Sequence, residues 1–351
     1  MRFHYFLLFS TLTFLYADVV KLEDITVEEG RQTSLIGDAI SSSEGLITQS
    51  EIKSRPVLRT GEVLEFVPGM VVTQHSGSGK ANQYFLRGFN LDHGTDFSTH
   101  IDGMPINMRT HGHGQGYTDL NFIIPEFIER IDYQKGPYHA EDGDFSSAGS
   151  ARFSLMNKLD ASFITFGIGK DGYYRTVLGT HTQINDNQLL FGLEAHTYDG
   201  PWSDVEENVE KLNILTRLSR PLMGGDFTLT FMGYKNSWDA ADQIPDYAVK
   251  QGIIDELGSI DKTVGGESSR YSLSTQWRND DWHINAYMIK SDLDLYSNFT
   301  YYLDDPVNGD QFNQVDERMI YGAEVKRAFH GHLGNHAWYQ DIGMQLRHDK
   351  I

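Results

Sequence analysis

The sequence predicts two unlike parts: an α+β domain over residues 44–155 and, over 156–351, antiparallel strands of a transmembrane β-barrel. Three observations carry this reading. Residues 44–155 hold short runs broken by glycine turns, with a helix around Thr60–Phe66 stopped at Pro68-Gly69. From Ala161 onward, apolar and polar residues alternate at period two. The links between these runs are short and long in turn, as in outer-membrane barrels with tight turns at one end and loops at the other.

Taken in order, Arg2, the largely apolar residues 3–16 and the small Ala17 read as a secretory signal over residues 1–17, with a short buried helix as the competing reading. Residues 18–43 are acidic and polar and read as a flexible periplasmic arm. No later stretch reaches the roughly 18 uncharged apolar residues that a membrane helix needs, so a chain entering a membrane must do so as strands.

Strands are expected at roughly 161–169, 172–181, 188–197, 207–219, 226–236, 267–278, 282–296, 315–328 and 337–348. Leu189, Phe191, Leu193 and Ala195 alternate with Leu190, Gly192, Glu194 and His196, and Trp282, Ile284, Ala286 and Met288 alternate with His283, Asn285 and Tyr287. Alternation alone fits a soluble sandwich, whose apolar faces meet, as well as a barrel, whose apolar faces meet lipid. The links favour the barrel: 185–187, 220–225, 279–281 and 329–336 are short to moderate, whereas 198–206, 237–266 and 297–314 are longer. Nine strands are an odd number and single-chain barrels close with an even one, so the chain is expected to be a fragment, with further strands beyond Ile351.

Composition removes several functions. With 49 acidic and 29 basic residues the net charge is -20, which repels a phosphate backbone, and no nucleic-acid partner is expected. The absence of cysteine excludes disulfide scaffolds, thiolate metal sites and cysteine nucleophiles. No Ser-His-Asp or paired-carboxylate arrangement can be placed on one face, so neither an enzyme nor a cofactor is expected. Gly77-Ser78-Gly79-Lys80 fails as a phosphate loop, because Gln74 and Ala81 stand where glycine and Ser or Thr are needed.

Four runs in the first domain carry a family resemblance: residues 62–70 (EVLEFVPGM), 85–89 (FLRGF), 101–105 (IDGMP) and 128–137 (IERIDYQKGP). Their order and spacing resemble the plug domain of TonB-dependent outer-membrane receptors. That resemblance implies an α+β plug over 44–155 inside a barrel of the 22-stranded type, of which 156–351 supply about nine strands. It further implies an outer-membrane location in a Gram-negative bacterium, in contact with lipid and lipopolysaccharide. A lumen that wide must be plugged to keep the membrane sealed. Within the plug motifs, Gly88 and Gly103 read as tight-turn or close-approach positions, and Arg87 as paired with a carboxylate of the barrel wall. Asp102, Lys135, Gly136 and Pro137 complete the motif set. The outer membrane has no ATP or ion gradient of its own, so uphill uptake implies a TonB-type energy-transducing partner. Leu22, Glu23, Asp24, Ile25, Thr26 and Val27 resemble a TonB box, an extended segment that adds as a strand to the partner's sheet.

For the ligand, His75, His93, Arg109, His111, His113, Gln115 and Tyr117 lie in glycine-rich polar stretches of the plug. The resemblance implies that His75 and the loop 109–117 face outward. His111 and His113 could ligate a borderline transition metal through neutral imidazole or hydrogen-bond an iron chelate; a hydrated polar loop is the plainer reading. His330, His332 and His336 fall in an expected periplasmic turn and are assigned no substrate role. Asp239, Asp242, Asp246, Asp255, Glu256 and Asp261 read as a solvated acidic outer loop. The expected function is energy-coupled uptake of a metal, metal chelate or iron siderophore. The alternative is an exported soluble β-rich enzyme or binding module holding a metal with His111, His113 and Asp119.

Overall fold

The computed structural model describes residues 38–39, 43–74, 77–110 and 116–351. The signal, most of the arm, the six-residue box, His75, His111, His113 and Gln115 lie outside the described residues.

The N-terminal domain begins with β1 (Asp38–Ala39), β2 (Glu44–Thr48) and α1 (Gln49–Ser54), followed by a 3-10 helix, Thr60–Phe66. It continues with β3 (Met70–Thr73), β4 (Gln83–Leu86), β5 (Phe89–Asn90), β6 (Phe97–Ile101), β7 (Met104–Pro105), β8 (Ile128–Gln134) and β9 (Gly149–Leu155). Six of these strands form one sheet in the order β1-β2-β8-β9-β6-β7, and β3-β4-β5 form a second. Asp38 and Ala39 pair with Leu46 and Gly45, so the domain's sheet starts inside the stretch expected to be free arm. The core is ordinary: Val63, Leu64, Ile123, Phe127, Ile128 and Ile131 are all buried, and the charged Glu129 and Arg130 of β8 face out.

The second part is a wall of nine antiparallel strands among the described residues, each paired with the next in sequence. They are β10 (Phe163–Ile168), β11 (Tyr174–Ile184), β12 (Asn187–Tyr198), β13 (Val209–Leu222) and β14 (Gly225–Asp239), then α2 (Asp246–Lys250) in a loop. The sheet ends with β15 (Gly265–Arg278), β16 (Trp282–Ser297), β17 (Phe312–Leu333) and β18 (His336–Lys350). Each expected strand is found. The largest difference is at β17, which runs past 328 because the link to β18 is a two-residue turn with Gly334 at φ 64, tight enough to keep both strands paired to their ends. The other close turns are 185–186, 223–224 and 279–281, and the long loops are 199–208, 240–264 and 298–311. Among the described residues no helix is long and apolar enough to cross a membrane.

The wall's faces are inverted relative to a soluble sheet. In β13 the buried side chains include Lys211, Asn213, Arg217 and Ser219, while Leu212 is 45% exposed. Phe231, Tyr271, Leu273, Ile284, Met288, Tyr321 and Val325 are likewise exposed on the outer face. A wall that hides its charges and displays its large apolar residues suits lipid outside and polar contents inside.

Candidate functional site

The inner face of the wall holds the N-terminal domain, and the charges are sorted between the two. The domain supplies acceptors and the wall supplies cations. Arg175 donates to both oxygens of Glu126 at 2.6 and 2.9 Å and to Glu194 at 2.6 Å. Lys326 Nζ is 2.8 Å from Glu141, Arg347 donates to the Asn107 carbonyl at 2.8 Å, Arg318 to the Thr110 carbonyl, and Arg217 to Asp102. These bonds are charge-assisted and mostly out of bulk water, where each is stronger than a surface pair.

The β6–β7 turn contacts the wall directly, with the Asp102 carbonyl accepting from Gln276. Asp102 and Gly103 have φ 47 and 75, a left-handed pair that glycine enters without strain. A Cβ on Gly103 would come within 2.4 Å of Asn285 Nδ2, so the backbone itself abuts the wall. The Asp102 carboxylate also accepts from the Leu155 amide at 3.2 Å. Burial pushes the Asp102 carboxyl above its usual range, against the pull of Arg217. Two cavities, of about 270 and 730 Å³, lie on either side of this turn, and His100, Gly103, Glu324 and Gln345 line both. Burial, helped by Arg152 and Arg347, lowers the His100 pKa to about 3, so it is a neutral wall of these cavities.

At the loop end, residues 77–81 of the domain press against the long loops. A Cβ on Gly79 would fall 1.9 Å from the Trp238 ring. Ser78 Oγ donates to Glu207, and Lys80 Nζ sits 5.6 Å from the Phe299 ring centroid. The loops are tied to one another as well. Asp242 accepts from the Asn298 amide at 2.7 Å, Asn298 Nδ2 donates to Asp261 at 2.7 Å, and the Ser259 amide donates to Asp204 at 2.8 Å. At Asp261 burial opposes charge, but the bonds from Asn298 and Thr263 outweigh it and hold the carboxyl below its usual range. Two of the acidic residues expected to be solvated loop charge, Asp242 and Asp261, are therefore hydrogen-bond acceptors that order the loops.

The structure changes three expectations about single residues. His93 is 1% exposed, with Nδ1 at 2.9 Å from the Ala81 carbonyl, and Tyr117 is 4% exposed, its hydroxyl accepting from the Ala81 amide at 2.9 Å. Both are interior groups, spent on backbone, rather than the ligand-facing side chains expected. Arg87 is exposed at φ 54 and makes no ion pair among the described residues; the carboxylate that meets the wall from these motifs is Asp102, with the signs reversed. Arg109 is half exposed, 3.5 Å from Asp144, and lines the smaller cavity. Gly88 turns at φ 81 with open space around it, and Gly136 at φ 131. The Lys135 amide donates to the Ser43 carbonyl at 2.7 Å, ahead of Pro137. Asp119 accepts from the Asn121 amide at 2.8 Å, and burial raises its pKa to about 6. Among the described residues no group of three His, Asp or Glu is placed to hold a metal ion. The wall cations Arg175, Arg217, Arg318 and Arg347 were missed by sequence reasoning. A charge in mid-strand on the polar face of an alternating run was the available signal.

Comparison with known proteins agrees with this geometry. Residues 36–150 match the family model described as the TonB-dependent Receptor Plug Domain. Among solved structures, a variant ferric enterobactin receptor from Pseudomonas aeruginosa in complex with enterobactin is similar, with 17% identity, 88% of this chain and 49% of that one covered, and a TM-score of 0.59. A copper transporter is similar with 15% identity, 90% and 48% coverage and a TM-score of 0.62. The unliganded ferric citrate transporter is similar with 12% identity, 90% and 51% coverage and a TM-score of 0.66. The chain thus spans about half the length of these structures.

Proposed function

We propose that this chain, whose residues 36–150 match the plug-domain model and whose strands share the fold of solved receptors, is part of a TonB-dependent receptor that serves in energy-coupled uptake across the outer membrane of a Gram-negative bacterium. Its cargo is a scarce metal, metal chelate or iron siderophore, taken as substrate. The exposed apolar face of the wall meets outer-membrane lipid and lipopolysaccharide, and the box at residues 22–27 engages a TonB-type partner by strand addition. The observation that carries this reading is the inverted wall packed over a folded domain: buried Lys211, Arg217 and Arg318 on the inside, exposed Phe231, Leu273 and Met288 on the outside. A soluble metal-binding module would hide that outer face.

The test uses the full-length natural protein. Outer-membrane fractions should contain it as a heat-modifiable band, and cells should accumulate at least one of ferric citrate, a ferric catecholate or Cu(II) in a protonophore-sensitive way. Deleting residues 22–27 should abolish uptake while leaving the band. Uptake that survives the deletion contradicts the coupling, and release of the protein into the periplasm contradicts the whole reading.

A further inference from the structure

The register of the wall places one inward-facing row where the polar lining stops. Following cross-strand partners, Gly179 faces Gly192, Gly192 faces Leu215, Leu215 faces Met232, Met232 faces Ser272, Ser272 faces Ile289, and Ile289 faces Ile320; the apolar stretch ends there, since Ile320 faces Asp349. Leu215, Met232, Ile289 and Ile320 are all at most 4% exposed and belong to the same apolar cluster as the plug's Met104, Ile106, Phe122 and Phe127. Where the row runs out of side chains, rings replace them. A Cβ on Gly192 would lie 2.6 Å from the Phe127 ring, and one on Gly179 would lie 2.3 Å from that of Phe163. The two rings touch each other, with centroids 5.8 Å apart.

The inward rows on either side are polar apart from Val177 and Leu190 near the first strands. Toward the loops the neighbouring row reads Glu194, Asn213, Tyr234, Arg270, Ser291 and Arg318; toward the short turns it holds Arg217, Thr230, Ser274 and Tyr287. The cavities divide the same way. A space of about 20 Å³, room for one water, is lined by Tyr234, Arg270 and Ser291 on the loop side. The larger cavities of about 270 and 730 Å³ are lined by Tyr287, Arg217 and Gln276 on the turn side. Polar space thus reaches the row from both ends and is interrupted there.

We propose that this row, Leu215–Met232–Ser272–Ile289–Ile320 together with Phe127 and Phe163, is the share of the plugged barrel's ion seal that these nine strands supply. It excludes hydrated ions by staying dry, while the ion pairs on both sides only position the plug. A narrow apolar constriction resists filling with water, and hydroxyls added at its apolar positions are expected to favour wetting. The Arg217–Asp102 pair cannot do this work, because it borders a polar cavity. The inference rests on the barrel reading above.

Planar lipid bilayers bathed in KCl test it without any cargo, using the full-length protein. The double substitutions I289T/I320T and I289V/I320V remove the same volume and keep the branched shape, and only the first adds two hydroxyls. The Thr variant is expected to raise K⁺ conductance at least tenfold over the unsubstituted protein, with the Val variant and Arg217→Ala each within twofold of it. The single variants Ile289→Thr and Ile320→Thr carry the same expectation and disturb folding less. A silent Thr variant overturns the seal, and so does a Val or Arg217→Ala variant that leaks as much. Heat-modifiable migration, read in parallel, reports the barrel itself. If that band is missing from the unsubstituted protein, the barrel reading has failed; if it is present, a wrong conductance pattern condemns the seal alone.

Discussion

Past the irregularity between Ile128 and Arg130, β8 alternates with the same period as β13, and the two strands bury opposite chemistry. β8 hides Ile128, Ile131 and Tyr133 and shows Glu129 and Arg130, whereas β13 hides Lys211, Asn213 and Arg217 and shows Leu212. The first packs on a core whose outside is water. The second separates a polar interior from an apolar exterior. Period two therefore says that a strand has two faces and leaves open which one is buried. What decides the sign is the solvent on each side.

The sharpest way to break this contrast is at Glu194, which is fully buried in the wall between Arg175 at 2.6 Å and Lys211 at 3.4 Å. Glu194→Gln leaves Lys211 without its carboxylate and Arg175 with Glu126 alone, and should cost about 3–5 kcal/mol, read as a lower urea midpoint for loss of the heat-modifiable form. In the plug, Ile131→Ala should cost about 2–5 kcal/mol, read as protease sensitivity of the plug at lower urea with the barrel band unchanged. If the outer face meets lipid, Phe231→Arg near mid-strand should cost about 2–4 kcal/mol and Phe231→Leu under ~1 kcal/mol, both read as yield of folded protein in vesicles; equal yields would remove the contrast.

The smallest effect is a pH slope. Burial gives Asp119 a pKa of about 6 in the folded state, above the ordinary ~4 of an unfolded chain. The folded protein therefore holds this proton more tightly. The Asp119 contribution is most favourable below pH ~4, declines as pH rises to about 6, and is constant above, at no more than ~1.4 kcal/mol per pH unit. Asp119→Asn should flatten the thermal-unfolding curve across that window.

Much of the wall was legible because each strand is long and one face is uniformly apolar: Leu189 to Ala195 and Trp282 to Met288 mark β12 and β16 directly. The two-residue turn at Gly334 was less so, since His332 and His336 look like loop residues until pairing carries them into strands. The plug's motifs located its turns. The side chains within them were harder, because whether a polar group such as His93 points outward or donates to the Ala81 carbonyl depends on contacts distant in sequence. The apolar row across β13, β14, β16 and β17 was hidden for a related reason. Leu215 and Ile289 sit on faces that otherwise read as polar, and only strand register aligns them.

Trp238 has one more consequence. Its indole lies flat on the plug backbone at Gly77 and Gly79, beneath the long loops, while Trp277, Trp282 and Trp338 sit near the opposite rim of the sheet. A shift of the plug's outer tip would change the surroundings of that fluorophore and leave these three unchanged. The molecule therefore carries an intrinsic optical gauge for any movement of that tip, with no label required.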